Sequence, residues 1–295
     1  MRCRRRRAIS KRSRYAGSQW PDGVDRASSR RWASRCRGRL PTGRPRLKFV
    51  VAVPARLEST RLPRKVLADI GGVPMLRRVL TEAGKAKSVG QVVLCTDSAE
   101  VAEHAGSWGV RVIMTSPDCA SGSERIASVL DQIDADVVIN VQGDQPFVDP
   151  LVIEQMCEVF RERRPTPEVV TPVYRLPAEK LGNPDAVKVV VSATNKAMYF
   201  SRAAVPFVRG RDISEWTELG VHFGHVGIYG YRRDVLARWP GLSATTLEDA
   251  EKLEQLRLLA HGITIDVYEI VHQPRTTLSV DSPADLENAR QMVKQ

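Results

Sequence analysis

Cysteine and histidine are scarce in this sequence, long apolar runs are missing, and each shortage removes a class of protein. The five cysteines, Cys3, Cys36, Cys95, Cys119 and Cys157, are odd in number and form no Cys-x-x-Cys pair. No histidine cluster accompanies them, so neither a disulfide framework nor a zinc site is implied, and a reducing cytoplasm fits. Cys95 closes the apolar run Val92–Cys95 and reads as a core thiol. No stretch approaches the roughly 18–20 apolar residues of a transmembrane helix, and no apolar segment precedes a signal cleavage site. No membrane partner is expected.

Acidic residues are nearly absent from one part of the chain only. Residues 1–48 hold 17 Lys and Arg against 2 Asp, a net of +15, while the other 247 hold 28 against 32, a net of −4. The formal charge of +11 therefore belongs to the N-terminal segment. Residues 1–47 have no hydrophobic period and cannot bury enough apolar surface to offset the entropy of ordering, so disorder is expected there. Three origins fit the segment: an arm contacting RNA or a membrane, an organellar transit peptide, or a start codon assigned too far upstream. Residues 48–295 are read as one domain.

Within that domain strands and helices alternate. Apolar β-branched runs at Phe49–Val53, Gln91–Cys95, Val110–Met114 and Asp136–Val141 read as strands. Helices are expected at Pro74–Lys87, Asp97–Trp108 (Asp97 as N-cap), Ser121–Ile133 and Pro150–Arg163. Asp136–Val141 is continuously apolar, as a parallel strand covered on both faces should be. This order predicts a doubly wound α/β sheet. Beyond it, strands at Val169–Tyr174, Ala186–Val191, Met198–Phe200, Gly227–Tyr231, Ile263–Val267 and Thr277–Val280 mix with helices at Leu247–His261 and from Pro283. They read as an acceptor-binding lobe built on the same sheet.

Chemistry concentrates where strands end. The first strand breaks at Pro54 into a loop carrying Arg56, Arg61, Arg64 and Lys65, a cationic set suited to a nucleoside triphosphate. Asp144 follows the buried strand through Gly143 and Gln142, where a carboxylate suits Mg²⁺ together with phosphate oxygens. Asp281 ends another predicted strand. Ser282, Pro283 and Asp285 already make a capping box after it, so Asp281 is free to be a second metal contact. Ser121, Gly122, Ser123, Glu124 and Arg125 open a helix with the same capping pattern, which alone accounts for the Ser and Glu. Glu251 and Glu254 fall on one face of the expected Leu247–His261 helix. Local pairing of Glu248 with Lys252 is the plain alternative there. His225 precedes a strand with alternating tyrosines, a setting in which histidine is commonly structural.

In combination these motifs resemble the 3-deoxy-manno-octulosonate (Kdo) cytidylyltransferases of lipopolysaccharide biosynthesis. The resemblance runs from about Phe49 to the C-terminus. It rests on Pro54–Lys65, Ser121–Arg125, Asn140–Pro146, Asn183–Val189, Tyr199–Arg202, His225–Tyr231, Leu253–Arg257 and Val280–Leu286, in the family's order. It implies a nucleotide-diphospho-sugar transferase-like three-layer sandwich with a mixed, mostly parallel sheet, in a cytoplasmic homodimer. It also implies that Arg56, Arg61 and Lys65 hold the triphosphate of CTP, with Ser121, Gly122, Ser123, Arg125 and Gln142 near the cytidine. Asp144 and Asp281 would bind Mg²⁺ and, with Lys65, carry the catalysis. Arg202, His225, Tyr229, Glu254 and Gln255 would surround the sugar acid. Arg64 stands where the family commonly has glycine, and Gln145 where glutamate is more familiar. A Gly-Asp-Gln-Pro version, as at Gly143–Pro146 here, also occurs in relatives that use the 8-amino analogue of Kdo. A CMP-sialate synthetase is the neighbouring enzyme reading. An RNA-binding protein led by the Arg-rich arm is the non-enzymatic one, which the domain's net charge of −4 opposes.

Overall fold

A computed structural model describes residues 47–295, apart from residues 60, 272–274, 276 and 295. The expectation of a disordered segment at 1–47 falls, but for Leu47, outside the described residues.

The strands are β1 (Phe49–Ala55), β2 (Asp69–Ile70), β3 (Val73–Pro74), β4 (Val89–Thr96), β5 (Arg111–Met114) and β6 (Val137–Val141). The second half supplies β7 (Val169–Arg175), β8 (Lys188–Val191), β9 (Ala197–Ser201), β10 (Phe223–His225), β11 (Ile228–Arg232) and β12 (Ile265–Ile270). Ten of them form one sheet, ordered β5-β4-β1-β6-β11-β7-β10-β8-β9, with β12 added to β7. Strands β5, β4, β1 and β6 are mutually parallel, and β11 runs antiparallel between β6 and β7. The doubly wound half and the mixed half thus share one continuous sheet.

The two faces of the sheet follow from the two-residue period of a strand. On β1, Phe49, Val51 and Val53 enter one core cluster, with Leu76, Val79, Ile153 and Phe160 from helices Met75–Ala83 and Pro150–Glu162. Val50 and Ala52 enter the other, with Ile126, Leu256 and Leu258 from helices Gly122–Ala127 and Gln255–Ala260. Because both faces are covered, these strands read as unbroken apolar runs. Cys95 is fully buried, and burial pushes its thiol up to about 12, so it is an inert core group.

Four expectations are corrected. The N-cap of helix Ala99–Ser107 is Ser98, which accepts from the Val101 N–H; Asp97 is bonded to Arg125 instead. The helix expected at Ser121–Ile133 ends at Ala127 and gives way to a 3₁₀ turn, Leu130–Gln132. The helix expected at Leu247–His261 is two, Thr246–Glu251 and Gln255–Ala260, because Lys252 takes a left-handed conformation at φ 52°. Glu251 and Glu254 are consequently drawn to different partners, and Glu248 pairs with Arg257 while Lys252 pairs with Asp249. No strand forms at Thr277–Val280, where the Val280 N–H bonds the Asp144 carbonyl rather than a ladder.

Packing at the centre of the sheet leaves no room for growth. A Cβ on Gly230 of β11 would lie 2.6 Å from Phe160 and 2.7 Å from Met156, both fully buried. Gly230→Ala is expected to cost about 1–3 kcal/mol, as overpacked cores do. A urea midpoint equal to that of the parent would show that the helix above yields freely.

Candidate active site

The carboxyl ends of β1 and β6 lie side by side, with Ala52 opposite Asn140 in a parallel register. Loops that leave them therefore start on the same edge of the sheet, the edge where open α/β folds hold ligands. Backbone meets backbone closely there. A Cβ on Gly143 would come within 3.1 Å of the Pro54 carbonyl, and one on Gly122 within 2.9 Å of the Pro54 ring and 3.1 Å of the Gln142 side chain. Glycine at both positions lets the end of β1, the start of helix Gly122–Ala127 and the turn after β6 close together.

Lys65 opens a short 3₁₀ turn, Lys65–Leu67, just after Arg64 in the left-handed region at φ 57° and ψ 28°. That backbone shape suits glycine, and here an arginine holds it. The Arg64 guanidinium is taken up by both carboxylate oxygens of Glu100, one of them at 3.1 Å. Its side chain is therefore fastened to helix Ala99–Ser107.

The Lys65 ammonium lies between two carboxylates, 2.8 Å from Asp144 and 3.0 Å from Asp281. Arg61 reaches the same Asp281 oxygen at 3.1 Å. Partial burial disfavours charge on both Lys65 and Asp281, but their attraction prevails: the lysine is held above its ordinary value and Asp281 below its own. The capping box expected at Ser282 is present, with Asp285 accepting from the Ser282 N–H and hydroxyl. As anticipated, the Asp281 carboxylate is left out of it and turns to Lys65, while its N–H joins the box by donating to Asp285. A pair of carboxylates that already surrounds a positive charge fits a divalent cation, and Mg²⁺ asks for no more than one or two carboxylates beside phosphate oxygens. Among the described residues, no group of three or more His, Cys, Asp or Glu could hold a metal by itself.

A second cluster centres on the Ser123 hydroxyl. It donates to Glu254 at 2.8 Å, accepts from the Asn140 amide at 3.3 Å, and meets the Tyr231 hydroxyl at 3.1 Å. Gln142 in turn donates to Asn140 at 3.1 Å. One donor and two acceptor positions of a hydroxyl are thereby all used. Burial pushes the Glu254 carboxyl up, and the Ser123 and Ser121 hydroxyls oppose that shift. Sequence reasoning missed Asn140 and Tyr231. The signal for Asn140 was available: an amide inside an otherwise apolar, doubly covered strand must find a partner.

The remaining predicted residues are distributed as follows. Arg56 donates to the Cys119 carbonyl. Ser121 caps its helix through the Glu124 N–H. Arg125 is fully buried, bonded to Asp97 at 2.8 Å and to Thr115, so its charge is spent inside the protein. Arg202 is tied through Nε to the Glu251 carbonyl at 2.7 Å and through Nη1 to the Pro184 carbonyl at 3.0 Å. His225 faces the Thr171 hydroxyl at 3.0 Å and Tyr229 at a 5.2 Å ring separation. Burial lowers its imidazole to about 3, which makes it neutral at physiological pH. Gln255 is buried beside Glu254, and Gln145 is buried with its Oε1 unpartnered among the described residues.

This is a nucleotidyltransferase type of site on a nucleotide-sugar transferase-like sheet. The sequence profile of the cytidylyltransferase family matches residues 50–265. The 3-deoxy-manno-octulosonate cytidylyltransferase of Acidobacterium capsulatum is 40% identical over 84% of this chain and 97% of its own. That of Francisella philomiragia is 41% identical over 82% and 97%. Among solved structures, a CMP:2-keto-3-deoxy-manno-octonic acid synthetase complexed with CTP superimposes with a TM-score of 0.77 at 38% identity, covering 84% of this chain and 99% of that one. A 4-diphosphocytidyl-2C-methyl-D-erythritol synthase from Anaerococcus prevotii, 11% identical over 84% and 97%, shares the fold with a TM-score of 0.55. The chain belongs to the 3-deoxy-manno-octulosonate cytidylyltransferases.

The elevated Glu254 carboxyl has a measurable consequence. Folded protein keeps this proton to a higher pH than the unfolded chain, whose value is 4.5, so stability falls as pH rises between the two. Glu254→Gln keeps an acceptor for Ser123 and removes the penalty. The variant should gain stability over the parent progressively above about pH 4.5. A stability difference that stays constant from pH 4 to pH 8 in urea titrations would refute the assignment.

Proposed function

We propose that this protein transfers CMP from CTP to Kdo, releasing pyrophosphate, for lipopolysaccharide biosynthesis. The observation that carries the reading is Lys65 held between Asp144 and Asp281 at the carboxyl ends of β1 and β6, in a chain about 40% identical to enzymes named for this reaction.

In this reading the anomeric hydroxyl of the sugar acid attacks the α-phosphorus in line, and pyrophosphate departs. Arg56, Arg61 and Lys65 bind the triphosphate and stabilise the charge that accumulates on the leaving group. Ser121, Gly122, Ser123 and Gln142 line the cytidine side, with Arg125 locked behind them to Asp97. Arg202, His225, Tyr229, Glu254 and Gln255 form the sugar-acid side, and Arg202 is the partner for the acceptor carboxylate. His225, being neutral, contributes a hydrogen bond and no charge. Asp144 and Asp281 would hold the Mg²⁺ ion, which when bound lowers the pKa of the attacking hydroxyl and neutralises charge developing at phosphorus.

No helix among the described residues is long and apolar enough to cross a membrane, and we place the enzyme in the cytoplasm with its soluble substrates. We read it as a homodimer. Phe207, Ile213, Leu219 and Val221 are exposed apolar side chains within a short stretch, a surface suited to a second copy. Light scattering should give twice the 32.8 kDa chain mass, and Phe207→Asp should shift it toward the single chain. A monomeric parent protein would end the dimer reading.

The deciding assay is pyrophosphate release from CTP and Mg²⁺, with Kdo and its 8-amino analogue offered in parallel; Gln145 is the residue that makes the second acid worth testing. Asp144→Asn is expected to lower kcat by about a thousandfold, a loss of ~4 kcal/mol of transition-state stabilisation, without altering the circular dichroism. Near-normal turnover in that variant would remove Asp144 from the metal site, and failure of the parent to bind CTP would overturn the function.

A further inference from the structure

The two carboxylates proposed for the metal are not open to solvent cations on equal terms, because Lys65 already stands between them. Its ammonium lies 2.8 Å from Asp144 and 3.0 Å from Asp281, both within charge-assisted hydrogen-bond range. The carboxylates are the fixed partners. Asp144 sits in the turn after β6, and its carbonyl accepts the Val280 N–H at 2.9 Å, which ties the segment bearing Asp281 to it. The Asp281 N–H is itself bonded to Asp285 in the capping box. Lys65, by contrast, reaches them on a four-carbon stem that can reorient. Of the three groups, the lysine is the one that can leave.

We infer that Lys65 is a resident counter-ion that keeps divalent metal out of the free enzyme and is withdrawn by the nucleotide triphosphate. This rests on the metal reading of Asp144 and Asp281 given above. An ammonium and a divalent cation compete for the same carboxylate oxygens, since both cannot lie between Asp144 and Asp281 at contact distance. The triphosphate offers Lys65 a stronger set of anionic oxygens on the neighbouring Arg56–Arg61 loop. Once the lysine moves to it, the carboxylate pair is left bare and negative, and metal uptake becomes favourable. Nucleotide and metal then bind with positive coupling through one side chain, and by reciprocity each raises the affinity of the other. The same lysine serves first as placeholder and then as phosphate ligand, so the carboxylate pair is handed from the ammonium to the metal in step with nucleotide binding.

Mn²⁺ binding to the nucleotide-free full chain, read by loss of the free-ion paramagnetic resonance signal, tests this without turnover. Lys65→Met and Lys65→Ala should bind Mn²⁺ about 5- to 150-fold more tightly than the parent, the usual span of a coupling between sites. Adding Asp144→Asn to Lys65→Met should abolish the gain. Parent protein supplies a second measurement that no folding defect can confuse: saturating Mn²⁺ should raise amine-reagent labelling of Lys65 selectively, as mapped on peptides. If Lys65→Met binds no more tightly than the parent while Asp144→Asn still weakens it, the metal reading stands and the placeholder is overturned. If Asp144→Asn leaves Mn²⁺ binding to Lys65→Met unchanged, the carboxylate pair is not the metal site and both readings fall. Lys65 labelling that does not respond to Mn²⁺ overturns the placeholder on its own.

Discussion

One ammonium group joins three segments that are remote in sequence. Lys65, Asp144 and Asp281 come from the first loop of the domain, the turn after β6 and the segment before the last helix, and their contacts at 2.8 and 3.0 Å close the carboxyl edge of the sheet. Each participant is delivered by local backbone chemistry. The left-handed Arg64 turns the chain so that Lys65 opens a 3₁₀ turn. Gly143 lets the strand end approach Pro54, and a Ser282–Asp285 capping box leaves the Asp281 carboxylate free to meet Lys65. The C-terminal helix Pro283–Lys294 is thus part of the site although it contributes no group to it: by starting where it does, it fixes Asp281.

The second point of closure is the Ser123 hydroxyl. It links Asn140 of β6 and Gln142 beyond it to Tyr231 of β11 and to Glu254, so that the parallel half of the sheet and the mixed half share one hydrogen-bonded chain. Such a network cannot be altered at one member without leaving another unsatisfied, and unsatisfied buried polar groups are expensive. Antiparallel pairing of β11 with β6 is what makes the network possible, since it sets Tyr229 opposite Asn140 and Tyr231 opposite Val138. The mixed half of the sheet is therefore joined to the parallel half by side-chain as well as backbone hydrogen bonds.

What could be read from the sequence divides along physical lines. Strand ends were legible because a buried parallel strand has a continuous apolar signature and its first polar residues mark the edge; Gln142 and Asp144 after Val141, and the cations after Val53, were found that way. Capping boxes were legible because they are local. Side chains whose partners lie far along the chain were not. Arg125 looks like any helical cation until Asp97 and Thr115 are seen to absorb it in a fully buried setting. The break at Lys252 is equally invisible, since Leu247–His261 has a good helical pattern. Glu251 bonds Ser201 and the Arg202 N–H while Glu254 bonds Ser123, and a continuous helix would have carried the two carboxylates on one face. Tertiary hydrogen bonds outweighed local propensity there.

Overall charge offers this domain no help with its substrates, since residues 49–295 carry no net positive charge and CTP and a sugar acid are both anions. Local cations must do the recognition, and in this structure each is already placed on an acceptor. Arg56 is on the Cys119 carbonyl, Arg61 and Lys65 are on Asp281, Arg64 is on Glu100, and Arg202 is on the Glu251 and Pro184 carbonyls. Binding is then an exchange of partners rather than the desolvation of bare charges. The cost to be overcome is the difference between two pairings, which is small for a ligand with several closely spaced negative oxygens. A lone carboxylate, able to replace one acceptor at a time, gains less from Arg56, Arg61 and Lys65 than a triphosphate does, and a sugar acid must add contacts through its hydroxyls. With the proposed roles of these residues, selectivity for a polyanion would come from prepaired cations on the Arg56–Lys65 loop and would need no excess of positive charge in the domain.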